Sequence, residues 1–488
     1  MRALPILILI LFLALAIAGC DRSDPQGGVA LATIDDNPIA ADPGLRLSYA
    51  EQQVRGAVAE GLVTLDAAGE VVPAAAESWI VTDDGRSFIF RLRQVRWPDG
   101  SELTAREVRD SLQSARKELS GTSLGLDLAR IRDIRALTNR VVEVRLTSAM
   151  PEFLHLLAQP ELGIRKRGSA VGLGPMRLVP ERDVSILTFP EGAPDEPVAE
   201  DRRVVSLRAL PAREAIEQFH SGALAAVFDG RLQDWPFADV GPLSRGTIRL
   251  DPALGLFGLE FVNADGLLAD AARREALSMA IDREALLQPF NVGGITYATR
   301  MVPDLVVPTE LARGDRWPDL TIAQRQAEAA RRIAAWARGS PTPPVLRIAL
   351  PSGEGGDLLF AGLARDFAAI GVRLERAEEG GPADLRLVDR LARYAAPRWF
   401  LNQFNCAISR SICSPDADLL TAQAVAEPDA ALSTNLIAEA EAALTGAEVF
   451  IPLAMPIRWS MVRGSLGGFA ENRWGWHPLF PIATAPTS

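Results

Sequence analysis

Apolar residues recur at helical spacing along the stretch Thr104–Glu118. Val108 and Leu112 stand four residues apart within it, which places them on one face of a helix. Thr104 and Glu107 stand three residues apart, the spacing of a capping box, in which each side chain bonds the other's backbone N–H. The pattern therefore predicts a helix that begins after Thr104 and buries one face.

The same criteria, helical spacing or strict alternation of apolar residues, predict further elements. Helices are predicted over Ala212–His220, Leu267–Ala285, Ile322–Ala337 and Leu358–Ala369. Strands are predicted over Leu62–Leu65, Phe88–Leu92, Val141–Leu146, Leu346–Leu350, Val372–Glu375, Val449–Leu453 and Arg458–Val462. A strand, a helix and a strand follow one another over residues 346–375, which predicts a parallel pair of strands. The fold class is therefore α/β, with more than one lobe.

A charge followed by a short apolar run begins the chain. Arg2 precedes Leu4–Ala18, a run without charged residues. That run is shorter than the about 20 residues that span a bilayer, and small residues follow it, as in a secretory signal. We predict that residues 1–19 are a signal peptide and that the polar residues 20–28 form a tether.

The end of this signal reads Ala16-Ile17-Ala18-Gly19-Cys20 and resembles a bacterial lipobox. The resemblance implies that Cys20 is lipidated and becomes the first residue of the mature chain. An ordinary signal peptide with a chance cysteine is the alternative. Asp21 follows, and in Gram-negative lipoproteins such an Asp retains the protein at the inner membrane. The expected location is therefore periplasmic, with a lipid anchor in the inner (cytoplasmic) membrane.

Composition narrows the class of function. The chain has 488 residues, enough for two or three domains, and a formal net charge of −11. Because nucleic-acid binding needs a basic face, we expect no nucleic-acid partner. Lys occurs only at Lys117 and Lys166, and this excess of Arg indicates codon bias rather than function.

Two cysteines remain once Cys20 is assigned to the lipobox. Cys406 and Cys413 are predicted to form a disulfide, because such bonds persist outside the cytoplasm. A metal site is the competing interpretation. Only three histidines occur in the chain and none is near these cysteines in sequence, so we expect no metal.

Short segments carry a resemblance to a known family. Those in the N-terminal part are Glu60–Asp66 (EGLVTLD), Pro73–Trp79 (PAAAESW), Asp83–Gly85, Phe88–Arg93, Trp97–Gly100 and Leu103–Val108. Later ones are Val171–Leu178 (VGLGPMRL), Arg273–Arg283 (RREALSMAIDR), Ile451–Leu453 and Gly467–Phe469. In order and spacing they resemble bacterial solute-binding protein family 5, whose members bind oligopeptides, dipeptides or nickel complexes. In the segment Val171–Leu178, Leu173 and Met176 replace the Thr and Tyr that are usual in the family.

The resemblance implies a two-lobed fold of the periplasmic-binding-protein type, in its large class with an extra subdomain. Residues 29–253 are then the large lobe, with a subdomain inserted at about residues 55–170. Residues 254–452 form the second lobe, and residues 453–488 return to the large lobe. Two strands form the hinge, with crossings expected near Leu250–Phe257 and Glu448–Pro456.

The function that this resemblance implies is capture of a small ligand, a peptide or similar polar solute, for the permease of an ABC importer. The alternative is a lipoprotein without a transport role, a sensor or assembly factor, on the same fold. No phosphate loop or HExxH helix occurs in the sequence. We therefore expect a binding protein rather than an enzyme, with no cofactor, acting as a monomer.

Candidate ligand contacts lie beside the expected crossings and the turns that face them, where aromatic and amide groups orient polar ligands. They are Tyr49, Glu51, Gly174, Met176, Trp399, Asn402, Asn405, Arg458 and Trp459. Burial in the core is an equal alternative for Trp399 and Trp459.

One departure from the family concerns the ligand. Peptide-binding relatives carry an Asp in a Trp-rich segment of the second lobe, where it meets the amino group of the peptide. The corresponding region, Asp384–Asp418, lacks that motif, and Asp389 and Asp416 are the candidates to replace it. The ligand class is thus left open among peptides, nickel complexes, opines, sugars and other small solutes.

Overall fold

The computed structural model describes residues 28–40, 44–166, 171–190, 202–238, 246–338, 342–378, 380–409 and 411–486. The predicted signal peptide, Cys20 and all but the last residue of the predicted tether lie outside these described residues. No helix among the described residues is long and apolar enough to cross a membrane.

The described residues contain both strands and helices, in mixed order along the chain. The first nine strands are β1 (Val29–Ile34), β2 (Val63–Leu65), β3 (Val71–Pro73), β4 (Ala76–Thr82), β5 (Ser87–Leu92), β6 (Ile131–Thr138), β7 (Val141–Leu146), β8 (Arg177–Glu181) and β9 (Val184–Thr188). The others are β10 (Val205–Leu210), β11 (Ala226–Arg231), β12 (Ile248–Asp251), β13 (Gly255–Phe261), β14 (Val345–Ala349), β15 (Arg373–Arg376), β16 (Leu385–Leu391), β17 (Phe450–Ala454) and β18 (Arg458–Val462).

The helices range in length from 4 to 17 residues. The first seven are α1 (Tyr49–Val58), α2 (Ala105–Glu118), α3 (Ser123–Leu128), α4 (Phe153–Leu157), α5 (Ala212–His220), α6 (Trp235–Ala238) and α7 (Ala271–Ala280). The others are α8 (Arg283–Leu287), α9 (Ile322–Trp336), α10 (Glu354–Ala368), α11 (Pro397–Asn402), α12 (Pro415–Ala426), α13 (Ala430–Gly446) and α14 (Leu479–Thr484).

A seven-stranded sheet unites the two ends of the chain, in the order β12-β18-β11-β1-β10-β9-β8. Strand β1 pairs parallel with both β10 and β11. Strand β18, more than 400 residues later, pairs antiparallel with β11 and β12. One lobe is therefore built from N- and C-terminal segments that meet in a single sheet.

A five-stranded sheet, in the order β15-β14-β16-β13-β17, forms the second lobe. Strands β14 and β15 pair parallel and are joined by α10, which confirms the β-α-β unit predicted from residues 346–375. Gly371 lies between α10 and β15 with a φ of +77°, a conformation that glycine adopts without strain. The predicted strand Arg458–Val462, in the other lobe, is also confirmed.

A four-stranded antiparallel sheet, β4-β5-β7-β6, lies within the N-terminal part of the chain, and β2 and β3 form a separate pair. Helix α2 packs on β6 and β7 of this sheet. Thr104 and Glu107 form the capping box predicted for it, and Val108 and Leu112 are buried. The helix and the predicted strand Val141–Leu146 are thereby confirmed.

The chain passes between the two large sheets twice. Residues 252–254 connect β12 to β13, and residues 455–457 connect β17 to β18. Each connection is three residues long, so two short segments join the lobes side by side. The domain limits placed at residues 253 and 452 stay predictions.

The prediction of one continuous helix over Leu267–Ala285 is wrong. The structure has a 3-10 turn at Gly266–Ala269, then α7, then α8. Asp270 and Asp282 each cap the helix that follows, because their side chains accept backbone N–H groups of its first turn. Ile281 between the helices is extended. Capping side chains thus interrupt an apolar pattern that otherwise continues.

Trp459 lies inside the large lobe, fully buried. Its Nε1 donates a hydrogen bond to the carbonyl oxygen of Arg231 at 2.9 Å, and its ring meets Trp235 edge to face. Gly230 lies against the ring so closely that a Cβ there would overlap it. The absence of a side chain at Gly230 therefore makes room for the buried indole.

Substitution of Gly230 tests this packing. Gly230→Ala should lower the free energy of unfolding by about 1–3 kcal/mol, because overpacking forces shifts in a well-packed core. Gly246→Ala is the matched control, since nothing lies within 4 Å of a Cβ at that position. Urea unfolding measures both. Equal midpoints for the two variants would contradict the packing described for Trp459.

Candidate ligand-binding site

A cavity of about 660 Å³ lies between the two lobes. Small-molecule sites commonly have volumes of about 300–1,000 Å³. Its aromatic lining consists of Tyr49, Trp399, Trp474 and Trp476, and its charged lining of Asp229, Arg231, Glu260, Arg386, Asp389, Arg390, Arg393 and Arg458. A smaller cavity of about 280 Å³ adjoins it and shares Arg231, Glu260, Arg386, Asp389 and Arg390.

Helix α1 positions the aromatic side of the cavity. Ser48 and Glu51 form a capping box that begins the helix, so Tyr49 is its first residue. The Tyr49 hydroxyl donates a hydrogen bond to the carbonyl oxygen of Gly475 at 2.9 Å, and its ring meets Trp476 edge to face. Burial raises the pKa of Tyr49 well above its usual value. The phenol therefore stays neutral, and its contacts with Gly475 and Trp476 hold it in place at the side of the cavity.

Arg458 binds two carboxylates at the centre of the cleft. Its Nη1 lies 2.7 Å from Oδ1 of Asp389, and its Nε lies 3.1 Å from Oδ1 of Asp229. The exposed fraction of each of these three side chains is 6 % or less. Asp229 and Arg458 belong to the seven-stranded sheet and Asp389 to the five-stranded one. The Arg458–Asp389 ion pair therefore joins the lobes.

A β-bulge directs Asp229 to this position. The register between β11 and β18 shifts between Val227 and Gly230, and Asp229 has a φ of +59°. Asp229 also pairs with Arg231 at 2.9 Å, and the pKa of Arg231 is raised chiefly by that carboxylate. Sequence reasoning missed Asp229. The available signal was a carboxylate directly after the apolar run that ends at Phe228 and directly before a glycine.

Two further polar contacts connect the N-terminal subdomain region with the second lobe. Arg393 donates to both carboxylate oxygens of Glu161, at 2.7 and 2.9 Å. Asp127 is buried and accepts hydrogen bonds from the Tyr394 hydroxyl and the Asn402 amide, each at 2.7 Å. These contacts join the two parts of the chain beside the cavity, which Arg393 lines.

Three of the nine candidate ligand contacts line the cavity: Tyr49, Trp399 and Arg458. The other six are placed elsewhere by the structure: Glu51, Gly174, Met176, Asn402, Asn405 and Trp459. Glu51 caps α1 and Asn402 binds Asp127, so both hold the framework around the cavity. Trp459 is the core residue described above.

The remaining three also have framework contacts. Gly174 lies against the backbone of residues 57–59, where a Cβ would clash. Met176 is fully buried in the core beneath the seven-stranded sheet. Asn405 donates a hydrogen bond to Oδ1 of Asp418 at 2.8 Å. Their motif positions therefore serve packing and loop geometry, which a linear motif does not distinguish from ligand contact.

Cys406 and Cys413 form a disulfide with their Cα atoms 5.2 Å apart. The ring lies between α11 and α12, and Ile408 and Ser409 within it line the cavity. The backbone N–H of Cys406 donates to Oδ2 of Asp418 at 2.8 Å. A small covalent ring thus holds one wall of the cleft.

The two proposed replacements for the amine-binding Asp differ in place. Asp416 lies in the first turn of α12 and does not line the cavity. Asp389 lines it, but its Oδ1 is bound by Arg458. Its Oδ2 is buried and has no hydrogen-bond partner among the described residues. One buried acceptor atom beside the cleft is therefore unsatisfied.

Two lobes, two short connections and a cavity between them define a two-lobed periplasmic-binding-protein fold. Residues 70–379 match the model of the family described as bacterial extracellular solute-binding proteins, family 5. The periplasmic murein peptide-binding protein MppA of Escherichia coli is 24 % identical over 454 residues, which cover 81 % of each chain. The chain belongs to the family 5 bacterial extracellular solute-binding proteins.

Solved structures share the fold. Haemophilus influenzae OppA, in complex with the peptide RPPGFSPFR, superposes with a TM-score of 0.77 at 19 % identity, over 94 % of this chain and 98 % of that one. AgaA of Agrobacterium tumefaciens, in complex with agropinic acid, superposes with a TM-score of 0.71 at 17 % identity, over 94 % and 97 %. The predicted fold class is confirmed.

The buried carboxyl of Asp127 makes stability depend on pH. Burial raises its pKa to about 6, above the value of about 3.9 in an unfolded chain. Such a group contributes fully below its unfolded pKa, and its contribution is lost as pH rises through its folded pKa. Between about pH 3 and pH 7, the free energy of unfolding should fall relative to that of Asp127→Asn by about 3 kcal/mol.

Urea unfolding at a series of pH values measures this difference. Asp84→Asn, at an exposed turn, is the control and should follow the wild-type curve. Parallel curves for the wild type and Asp127→Asn would show that Asp127 has no raised pKa.

Proposed function

We propose that the protein captures a small polar solute in the cleft between its lobes and delivers it to the permease of an ABC importer. The observation that carries this proposal is the cavity of about 660 Å³, which residues of both lobes line. Two of these residues, Arg458 and Asp389, form an ion pair between the lobes. Family membership favours this role over that of a sensor or assembly factor. We also propose that the protein acts as a monomer and returns its ligand chemically unchanged.

Three relatives support a polar ligand. They bind a murein peptide, a nine-residue peptide and agropinic acid. The aromatic side chains of this cleft offer flat faces for stacking, and the arginines offer charged hydrogen bonds. A peptide and a non-peptide acid both fit this combination.

Closure follows from the placement of the lining on two lobes. A solute that touches both lobes makes its full set of contacts only when they are close together. It therefore binds the closed state more tightly and shifts the population toward it. The permease then distinguishes the loaded protein from the empty one by its shape.

Ligand-induced closure is testable in solution. The solute that co-purifies with the protein, identified by native mass spectrometry, should raise the melting temperature when added back, because it binds the native state. Small-angle scattering should show a smaller radius of gyration with the solute and the mass of one chain. The solute recovered afterwards should have an unchanged mass. A bound solute that leaves the scattering profile unaltered would contradict closure.

Trp399→Ala tests ligand contact and core packing in the same experiment. Trp399 lines the cavity and is also almost completely buried. We expect weaker solute binding together with a loss of about 3–5 kcal/mol in the free energy of unfolding, because a large buried side chain is removed. Trp336→Ala, at an exposed site on α9, is the control and should change neither quantity.

We further propose that a lipid on Cys20 anchors the protein to the inner membrane. The support is the lipobox Ala16-Ile17-Ala18-Gly19-Cys20 and the Asp that follows it. Cys20→Ser should release the protein into the soluble periplasmic fraction, while Cys413→Ser should leave it attached. Fractionation and intact mass measure this. A mature N-terminus with an unmodified Cys20 would refute the anchor.

A further inference from the structure

We infer that the solute carries an oxyanion, a carboxylate or a phosphate, that binds Arg390 and Arg386 of the second lobe. This inference rests on the proposed function, that the cleft between the lobes holds a solute. It concerns the charge of that solute.

The charge of the cavity is opposite to that of the chain. The chain has a formal net charge of −11. The cavity lining contains five arginines, Arg231, Arg386, Arg390, Arg393 and Arg458. It contains only three carboxylates, Asp229, Glu260 and Asp389. Because positive charge is concentrated where the net charge elsewhere is negative, the cleft attracts anions.

Most of these charges are already paired within the protein. Asp229 is bound by Arg231 at 2.9 Å and by Arg458 at 3.1 Å. Asp389 is bound by Arg458 at 2.7 Å. Arg393 is bound by Glu161, whose side chain is buried. These groups neutralise one another, which leaves Glu260, Arg386 and Arg390 as the charges available to a ligand.

The two remaining arginines differ in the residue that lies opposite each of them on the neighbouring strand. Glu260 lies directly opposite Arg386 in the β13–β16 pair, so it partly offsets that charge. Arg390 lies opposite Leu256, and no ion pair of Arg390 occurs among the described residues. Arg386 and Arg390 are four residues apart on one strand, so their side chains leave the same face. Arg390 is therefore the uncompensated cation of the cleft.

An ammonium group is disfavoured by the same arrangement. Arg390 would repel it, and to reach Oδ1 of Asp389 it would have to displace the buried guanidinium of Arg458. Oδ2 of Asp389 has no hydrogen-bond partner among the described residues, but it is buried and so is not exposed to a solute in the cavity. Guanidinium groups bind both carboxylate and phosphate in two-bond geometry.

The test uses the full mature protein and matched pairs of probes. Acetylated dipeptides are compared with their carboxamides, galacturonate with galactose, and glucose 6-phosphate with glucose. Thermal shift finds the members that bind, and titration calorimetry gives their dissociation constants. We expect the binding members to be anionic, and the neutral partner of each to bind at least tenfold more weakly. The carboxylate and phosphate arms show which oxyanion is preferred.

Variants assign the effect to the named arginines. Arg390→Gln should weaken binding of the anionic member at least tenfold and leave binding of the neutral member unchanged, and Arg390→Lys should restore part of the loss. Arg373→Gln is the matched control, because Arg373 lies on β15 of the same lobe, is exposed and pairs with Glu375 outside the cavity. Urea midpoints should be the same for all of these variants.

The outcomes distinguish this inference from the proposed function. Neutral or cationic members that bind as tightly as anionic ones, or a panel in which no anion binds, would overturn the oxyanion inference. An anion whose affinity is unaffected by Arg390→Gln would overturn it as well. Binding of a neutral solute with compaction would leave the proposed function intact. Binding without any compaction would count against the proposed function itself.

Discussion

The buried guanidinium of Arg458 is the interaction on which the cleft depends. It stands between Asp229 of its own lobe and Asp389 of the other. Removing one member of such a group leaves a buried charge without compensation, which commonly costs about 3–5 kcal/mol. Asp229 and Arg458 lie on neighbouring strands, so a rotation of the lobes separates Arg458 from Asp389 but not from Asp229. If the lobes open as proposed, Arg458 stays paired with Asp229, and the group that is exposed is the Asp389 carboxylate rather than a bare cation.

The elements that the sequence predicted well are those defined by local contacts. The capping box of Thr104 and Glu107, the strand Arg458–Val462 and the β-α-β unit in the second lobe all depend on residues close together in the chain. The break at Ile281 was missed, because the apolar pattern continues through it and only the cap at Asp282, which begins the next helix, marks the break.

The cleft was harder to predict because its parts are far apart in sequence. Tyr49, Trp399 and Arg458 were anticipated from their neighbourhood to motifs, and they meet only through the pairing of β18 with β11 and the two short connections. Asp229 depends on a bulge, whose shifted register is not visible in a pattern of apolar residues. Asn405, also beside a motif, turned out to hold a loop. Position near a motif thus identified the region and three of the side chains that line the cavity, but it did not identify Asp229.

The disulfide between Cys406 and Cys413 has a consequence for how the protein is made. The wall of the cavity formed by Ile408 and Ser409 is held by a bond that forms only when two thiols are oxidised. The cytosol keeps such thiols reduced. Material produced there has the same sequence and the same sheets, but one wall of its cleft lacks a covalent tie. Affinities from cytosolic preparations therefore belong to a different chemical species from the exported protein.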